Sequence, residues 1–223
     1  MKNDRTLLQI KSAAALILPM GGVFELSTIE VDQSFLSDAE RALIETWAVP
    51  RQQEFAAGRL CARRGLAALG RPAVPLLRDA DGLPLWPPGV VGSITHSRGI
   101  AAAALRPADG PDTLLGLDLE KTNRLSAAAS RRVLHPREVG FAAGDQRRAS
   151  VLFSLKEAFY KAQFPRWRTP GNFHDLALSV DLAAGRAVVV DLAPCFDPIL
   201  AGLEFRFCLV DDYVLSLCWS EAA

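Results

Sequence analysis

Apolar residues recur along this chain with two periods, and the places where the period changes mark its elements. Leu152, Leu155, Phe159 and Ala162 fall three or four apart, which predicts a helix from about Ala149 to Ala162 with one buried stripe. Leu115, Leu117 and Leu119 alternate with Gly116, Asp118 and Glu120, the period of a half-buried strand over Thr113–Glu120. Ser37-Asp38-Ala39-Glu40 is a capping-box pattern that opens a helix running toward Trp47. Pro50 suits the first turn of the next helix, which continues through Phe55, Arg59, Ala62, Arg63 and Leu66 until Gly70. A further helix spans roughly Ser126 to Val133. The run GSITHSRGIAAAAL reads as strand, turn at Ser97-Arg98-Gly99 and strand, with His96 at the turn. Asp79 to Gly92, rich in glycine and proline, is a shaped loop with at most short extended pieces. DLALSVDL, GRAVVVDL, LEFRFCLV and YVLSLCWS are antiparallel strands. Helices mixed with small, mostly antiparallel sheets in both halves indicate an α+β fold rather than a doubly wound α/β one.

The 223 residues suit one large domain or two small ones. The polar, proline-containing stretch Arg106–Asp112 is the candidate linker, dividing the chain into halves 1–108 and 109–223. With 25 Lys and Arg against 25 Asp and Glu, no global field points to a polyanionic partner, so any phosphate site must be local and a nucleic-acid partner is not expected. Ala13–Met20 is too short to cross a bilayer and no small-residue cleavage pattern follows it, so it reads as a buried strand or helix, with a cleaved signal peptide as the alternative, and no membrane partner is expected. The four cysteines lack zinc spacing. In a hairpin about Asp211-Asp212, Cys208 faces Leu215 and Cys218 faces Phe205. Buried free thiols in a reducing cytosol are the simplest account.

Three constellations carry chemistry. In Gly116-Leu117-Asp118-Leu119-Glu120 the strand period puts two carboxylates on one face, comfortable when solvated or when a hard cation such as Mg²⁺ sits between them. Taken alone, a solvated strand face explains such a pair more often. In Phe153–Lys161, Glu157 and Lys161 are four apart on the side opposite the apolar stripe, and Lys156 sits on a shoulder. Either this is an ordinary surface pair, or Glu157 is a third oxygen ligand and the lysines meet phosphate. Ser93-Ile94-Thr95-His96-Ser97 ends a strand in groups that hydrogen-bond phosphate oxygens. Arg51, Arg59 and Arg63 supply fixed positive charge or form a solvated helix face.

GLDLEKTNR, preceded by GSITHS and followed about thirty residues later by FSLKEAFYKA, resembles the Sfp-type 4′-phosphopantetheinyl transferase family. PRQQEFAAGRLCARRGLAALG and GLPLWPPGVVGSITHS resemble the subgroup that includes the enterobactin-synthase transferase EntD. The likeness covers roughly residues 50 to 165, with Phe153 where the motif commonly has Trp and Thr95 in place of a frequent Ser. It implies a cytoplasmic monomer of two similar α+β halves with coenzyme A and the metal in the cleft between them. It also implies that Asp118, Glu120 and Glu157 are the metal carboxylates, that Lys156 and Lys161 face phosphate, and that Thr95 and His96 contact the phosphates of coenzyme A. Gly82-Leu83-Pro84 matches the loop near the adenine, and Arg51, Arg59 and Arg63 occupy the region of basic contacts to the nucleotide end.

The expected reaction moves the phosphopantetheine arm of coenzyme A onto a serine of an apo acyl or peptidyl carrier protein and releases adenosine 3′,5′-bisphosphate. It depends on Mg²⁺, for which Mn²⁺ can substitute. Charge neutralisation and positioning matter more here than covalent help. Glu157, directly or through a metal-bound water, is the expected base, with Lys156, Lys161 and His96 offsetting phosphate charge. Leu125–His135 is the expected carrier surface by chain order. The rivals are a magnesium-dependent nuclease or phosphoesterase and a non-catalytic coenzyme A binding protein. Which carrier is served stays open.

Overall fold

Two antiparallel sheets meet along their edges in the computed structural model, which describes residues 2–221. The first joins β1 (Val23–Thr28), β2 (Val90–Ser97) and β3 (Ile100–Pro107) in the order β1-β3-β2. The second joins β4 (Leu115–Lys121), β5 (Leu176–Asp181), β6 (Arg186–Leu192), β7 (Glu204–Val210) and β8 (Tyr213–Trp219) in the order β4-β8-β7-β6-β5. Helices α1 (Lys2–Ala15), α2 (Asp38–Ile44) and α3 (Val49–Ala68) belong to the first half; α4 (Ala127–Val133), α5 (Val139–Ala142) and α6 (Gln146–Trp167) belong to the second. The α+β expectation holds in both.

Edge strands β2 and β4 run side by side in the same direction, and hydroxyls rather than a backbone ladder join them. Ser93, Thr95 and Ser97 share one face of β2 by the two-residue period. Ser93 Oγ accepts the amide of Leu117 at 3.0 Å and Thr95 Oγ1 accepts that of Leu119 at 3.3 Å. Ser97 Oγ donates to Glu120 Oε1 at 2.6 Å. The exposed amides that an edge strand would otherwise present are thereby satisfied. Behind the seam, Leu117, Leu119, Leu215 and Leu217 form one core with Ile10, Phe24, Ala102 and Ala104. The alanine run of β3 is buried on both faces, since Ala101 and Ala103 pack with Ala57, Ala62 and Leu66 of α3.

Local signals account for most boundaries. Ser37 caps α2 in a capping box with Glu40, although the helix ends at Ile44, short of Trp47. Ser126 caps α4, and Asp145 caps α6 by accepting the amides of Arg147 and Arg148. Arg98 at φ 47° and Gly99 at φ 88° make the β2–β3 turn, leaving His96 inside β2 rather than at the turn. The β7–β8 hairpin pairs Phe205 with Cys218 and Cys208 with Leu215, as its turn at Asp211-Asp212 requires. The apolar stretch Ala13–Met20 is not one buried element: α1 ends at Ala15, and Leu16 and Met20 point to solvent in the turn that follows. Cys195 departs from the expectation of buried thiols by being exposed.

Helix α6 lays Leu152, Leu155, Phe159 and Ala162 on the second sheet against Phe205, Phe207, Val214 and Cys218. It crosses β4 at Gly116, where a Cβ would overlap the carbonyl oxygen of Ala158 and the amide of Ala162. No side chain fits at that crossing, and the closeness brings Asp118, two residues on, against Lys161. Gly116→Ala is therefore expected to cost about 3 kcal/mol or more in urea unfolding. Unchanged stability would show that the helix can give way.

Candidate functional site

Four charged side chains gather where β4 faces α6. Asp118 is 6% exposed, and its Oδ1 receives the Lys161 ammonium at 2.6 Å and the Thr95 hydroxyl at 3.2 Å. Its Oδ2 is buried without a hydrogen-bond partner. Glu120 Oε1 accepts Ser97 Oγ at 2.6 Å and the Lys121 amide at 2.7 Å, while Oε2 lies 3.2 Å from Arg124. Glu157, one turn before Lys161, is half-buried. Burial pushes its pKa up, Lys161 opposes that, and the charges of Asp118 and Glu120 add to it. The three carboxylates thus repel one another across a common space.

They do not close around a point as they stand: among the described residues, no three His, Cys, Asp or Glu side chains are placed to hold one metal ion. Lys161 occupies Asp118, and Ser97 and Arg124 hold Glu120. The shared-ion geometry expected of Asp118, Glu120 and Glu157 is therefore not preformed. The donor chemistry does suit a hard cation, since all three offer oxygen and Asp118 Oδ2 is an orphaned buried acceptor.

Lys156 does not join this group. Its ammonium is buried against Glu138 at 2.7 Å and donates to the carbonyls of Val133 at 3.0 Å and Phe173 at 2.7 Å. Burial lowers its pKa and Glu138 opposes the shift. Glu138 is itself buried and accepts the amides of His135 and Leu178. The helix shoulder read from spacing faces the end of α4, so this lysine ties α4 and the strand beneath it to α6, and it also lines the recess beside Glu157.

Between the halves lies a cleft of about 630 Å³ whose wall includes Arg51, Arg59, Gly82, Leu83, Pro84, His96 and Lys161. Asp79 shapes the loop: its Oδ1 accepts the amides of Asp81 at 3.0 Å and Leu83 at 2.8 Å. Gly82 has φ +84°, and a Cβ there would collide with the Arg78 guanidinium. Arg168, just past α6, spans the cleft to Asp79 and Asp81, both at 2.7 Å, and holds the Asp79 carboxyl below the usual carboxylate range. His96 Nε2 lies 2.7 Å from Arg51, and burial lowers its pKa despite Glu54.

The three arginines part company. Arg51 is exposed at the cleft. Arg59 is 5% exposed, donates to the Leu76 carbonyl at 2.7 Å and stacks 4.2 Å over Phe55, with burial pushing its pKa down to about 10. Arg63 pairs with buried Glu40 and is not among the residues lining the cleft. Thr95 is likewise committed to the seam, its hydroxyl engaged by Leu119, Asp118 and Lys161. Sequence reasoning missed Arg78, Tyr160 and Arg168, which also line the cleft; the Asp-x-Asp-Gly turn after Arg78 was their nearest signal. A smaller apolar recess of about 230 Å³ opens beside Glu157, lined by Phe159, Tyr160, Phe173 and Phe196.

Residues 39–106 match the model of the 4′-phosphopantetheinyl transferase N-terminal domain, and residues 114–218 match that of the 4′-phosphopantetheinyl transferase superfamily. The 4′-phosphopantetheinyl transferase Svp of Streptomyces mobaraensis is 37% identical over 84% of this chain and 79% of its own. The 4′-phosphopantetheinyl transferase PptT of Mycobacterium tuberculosis is 36% identical over 79% of this chain and 82% of its own. Enterobactin synthase component D of Salmonella typhi is 30% identical over 70% of this chain and 65% of its own.

If Lys156 is a structural cation, Lys156→Met leaves Glu138 buried and unpaired and costs about 3 kcal/mol in urea unfolding. Adding Glu138→Gln should restore about 1 kcal/mol or more. A single variant as stable as wild type would contradict the assignment.

Proposed function

This chain belongs to the 4′-phosphopantetheinyl transferase superfamily and is a transferase of the phosphopantetheine arm of coenzyme A to carrier proteins, and on that premise we propose how its cleft does so. The observation that carries the reading is the position of Lys161, which lines the cleft and also bonds Asp118, linking a nucleotide-sized space to the acidic cluster. The nucleotide end of coenzyme A lies between the Gly82-Leu83-Pro84 loop and α6, with Arg51 and His96 beside its phosphates. The phosphopantetheine arm enters the apolar recess next to Glu157.

Asp118, Glu120 and Glu157 would hold Mg²⁺, or Mn²⁺ in its place, and the ion would supply charge neutralisation and polarisation at the pyrophosphate. Glu157 accepts the proton of the carrier serine hydroxyl, a role that its place on the wall of the recess suits. The serine oxygen forms its bond to the phosphorus bearing the pantetheine arm as the pyrophosphate P–O bond on the nucleotide side breaks. Adenosine 3′,5′-bisphosphate leaves, and Lys161 and Arg51 offset the charge that develops on it.

The carrier docks along α4. The carbonyl of Val133, at the end of α4, bonds Lys156, the neighbour of Glu157, so this helix borders the reacting group. Its last turn carries Arg131 and Arg132, both exposed. Docking there brings the carrier serine to Glu157.

With apo carrier protein, coenzyme A and Mg²⁺, the mass gain of the carrier is expected to slow about 100-fold or more for Glu157→Gln and for Asp118→Asn. Both variants should unfold cooperatively. Chelating the divalent ions should stop wild-type transfer and Mn²⁺ should restore it. Labelling at the wild-type rate by Glu157→Gln would remove Glu157 from the mechanism.

A further inference from the structure

We propose that Lys161 is a substrate-responsive counter-ion. It holds Asp118 while the cleft is empty, and the pyrophosphate of coenzyme A draws it away, so that coenzyme A and the divalent cation each strengthen the binding of the other. The inference rests on the reading of Asp118, Glu120 and Glu157 as the metal carboxylates and adds to it the residue that controls their availability.

The site supplies its own cation. Lys161 Nζ lies 2.6 Å from Asp118 Oδ1 and 3.2 Å from Thr95 Oγ1, so the carboxylate nearest the seam is already neutralised. The remaining oxygen of Asp118 is buried with no partner. A divalent ion arriving alone would meet a like charge on the carboxylate it needs. Like charges held a few ångströms apart at a protein surface repel each other strongly. That repulsion weakens binding of the cation to an otherwise suitable oxygen set.

The same ammonium has somewhere else to go. Lys161 lines the cleft, and its side chain is 27% exposed against 8% for that of Asp118. Its four-carbon stem lets the charge swing without moving α6, which is pinned against β4 at Gly116. Pyrophosphate in the cleft gives Lys161 a stronger partner than the one carboxylate, and its departure opens Asp118 to the metal. Charge balance leads to the same coupling. Three carboxylates with Lys161 and Arg124 leave little net charge to attract a free cation, whereas pyrophosphate restores the deficit. Binding of each ligand then favours the other by the same factor.

The test is a complete binding cycle by calorimetry. Mn²⁺ affinity is measured with and without coenzyme A, and coenzyme A affinity with and without Mn²⁺, for wild type, Lys161→Met and Lys161→Gln. Gln keeps a donor for Asp118 in case Met impairs folding. In wild type each ligand should tighten the other about tenfold or more. In both variants Mn²⁺ alone should bind about tenfold more tightly than to wild type, coenzyme A alone should bind more weakly, and the coupling factor should fall about tenfold. An unchanged coupling factor with Mn²⁺ still bound would overturn the counter-ion role and leave the metal reading intact. No Mn²⁺ binding to wild type even with coenzyme A would overturn both.

Discussion

Everything at this site depends on a row of hydroxyls between two edge strands. Ser93, Thr95 and Ser97 bond the amides of Leu117 and Leu119 and the carboxylate of Glu120. Two sheets that share no backbone ladder are thereby fixed in register. A hydroxyl suits the task because it both accepts and donates: Thr95 takes the Leu119 amide and gives its proton to Asp118. An amide left unpaired there would cost about 1 to 3 kcal/mol, so the seam is specific as well as adhesive.

On that foundation the second half adds opposing charge. The crossing of β4 and α6 at Gly116 sets Asp118 beside Lys161, and the helical period sets Glu157 one turn away. Burial and mutual repulsion favour a cation beside the carboxylates, and Lys161 places its ammonium on Asp118. Across the cleft, Arg168 clasps the loop that Asp79 shapes, so walls drawn from both halves define one space. The buried Lys156 and Glu138 pair anchors α4 and the strands beneath it to the same helix.

Much of this was legible in the chain. The capping residues Ser37, Ser126 and Asp145, the leucine alternation of β4 and the stripe of α6 are short-range signals, and short-range physics decides them. The pairing of Asp118 and Glu120 on one strand face, and of Glu157 with Lys161, followed from period alone. What period cannot supply is the neighbour across space. Lys156 and Lys161 look alike on a helix, yet one meets Glu138 and the other Asp118, because different elements pack on the two sides of α6. Arg63 likewise belongs to Glu40 through a contact spanning 23 residues. The serines and threonine of β2 showed a strand's period, but only the docking of β4 turns them from candidate phosphate donors into the seam.

The central claim, that the hydroxyl seam builds the coenzyme A site, is tested most directly by amide hydrogen exchange at Leu117 and Leu119 together with coenzyme A affinity in Ser93→Ala/Thr95→Val. The account predicts that both amides exchange about tenfold faster or more, as loss of two hydrogen bonds implies, that protection in the middle of α6 persists, and that coenzyme A binding weakens in parallel. Unchanged exchange at the two amides, or faster exchange with coenzyme A affinity intact, would contradict it.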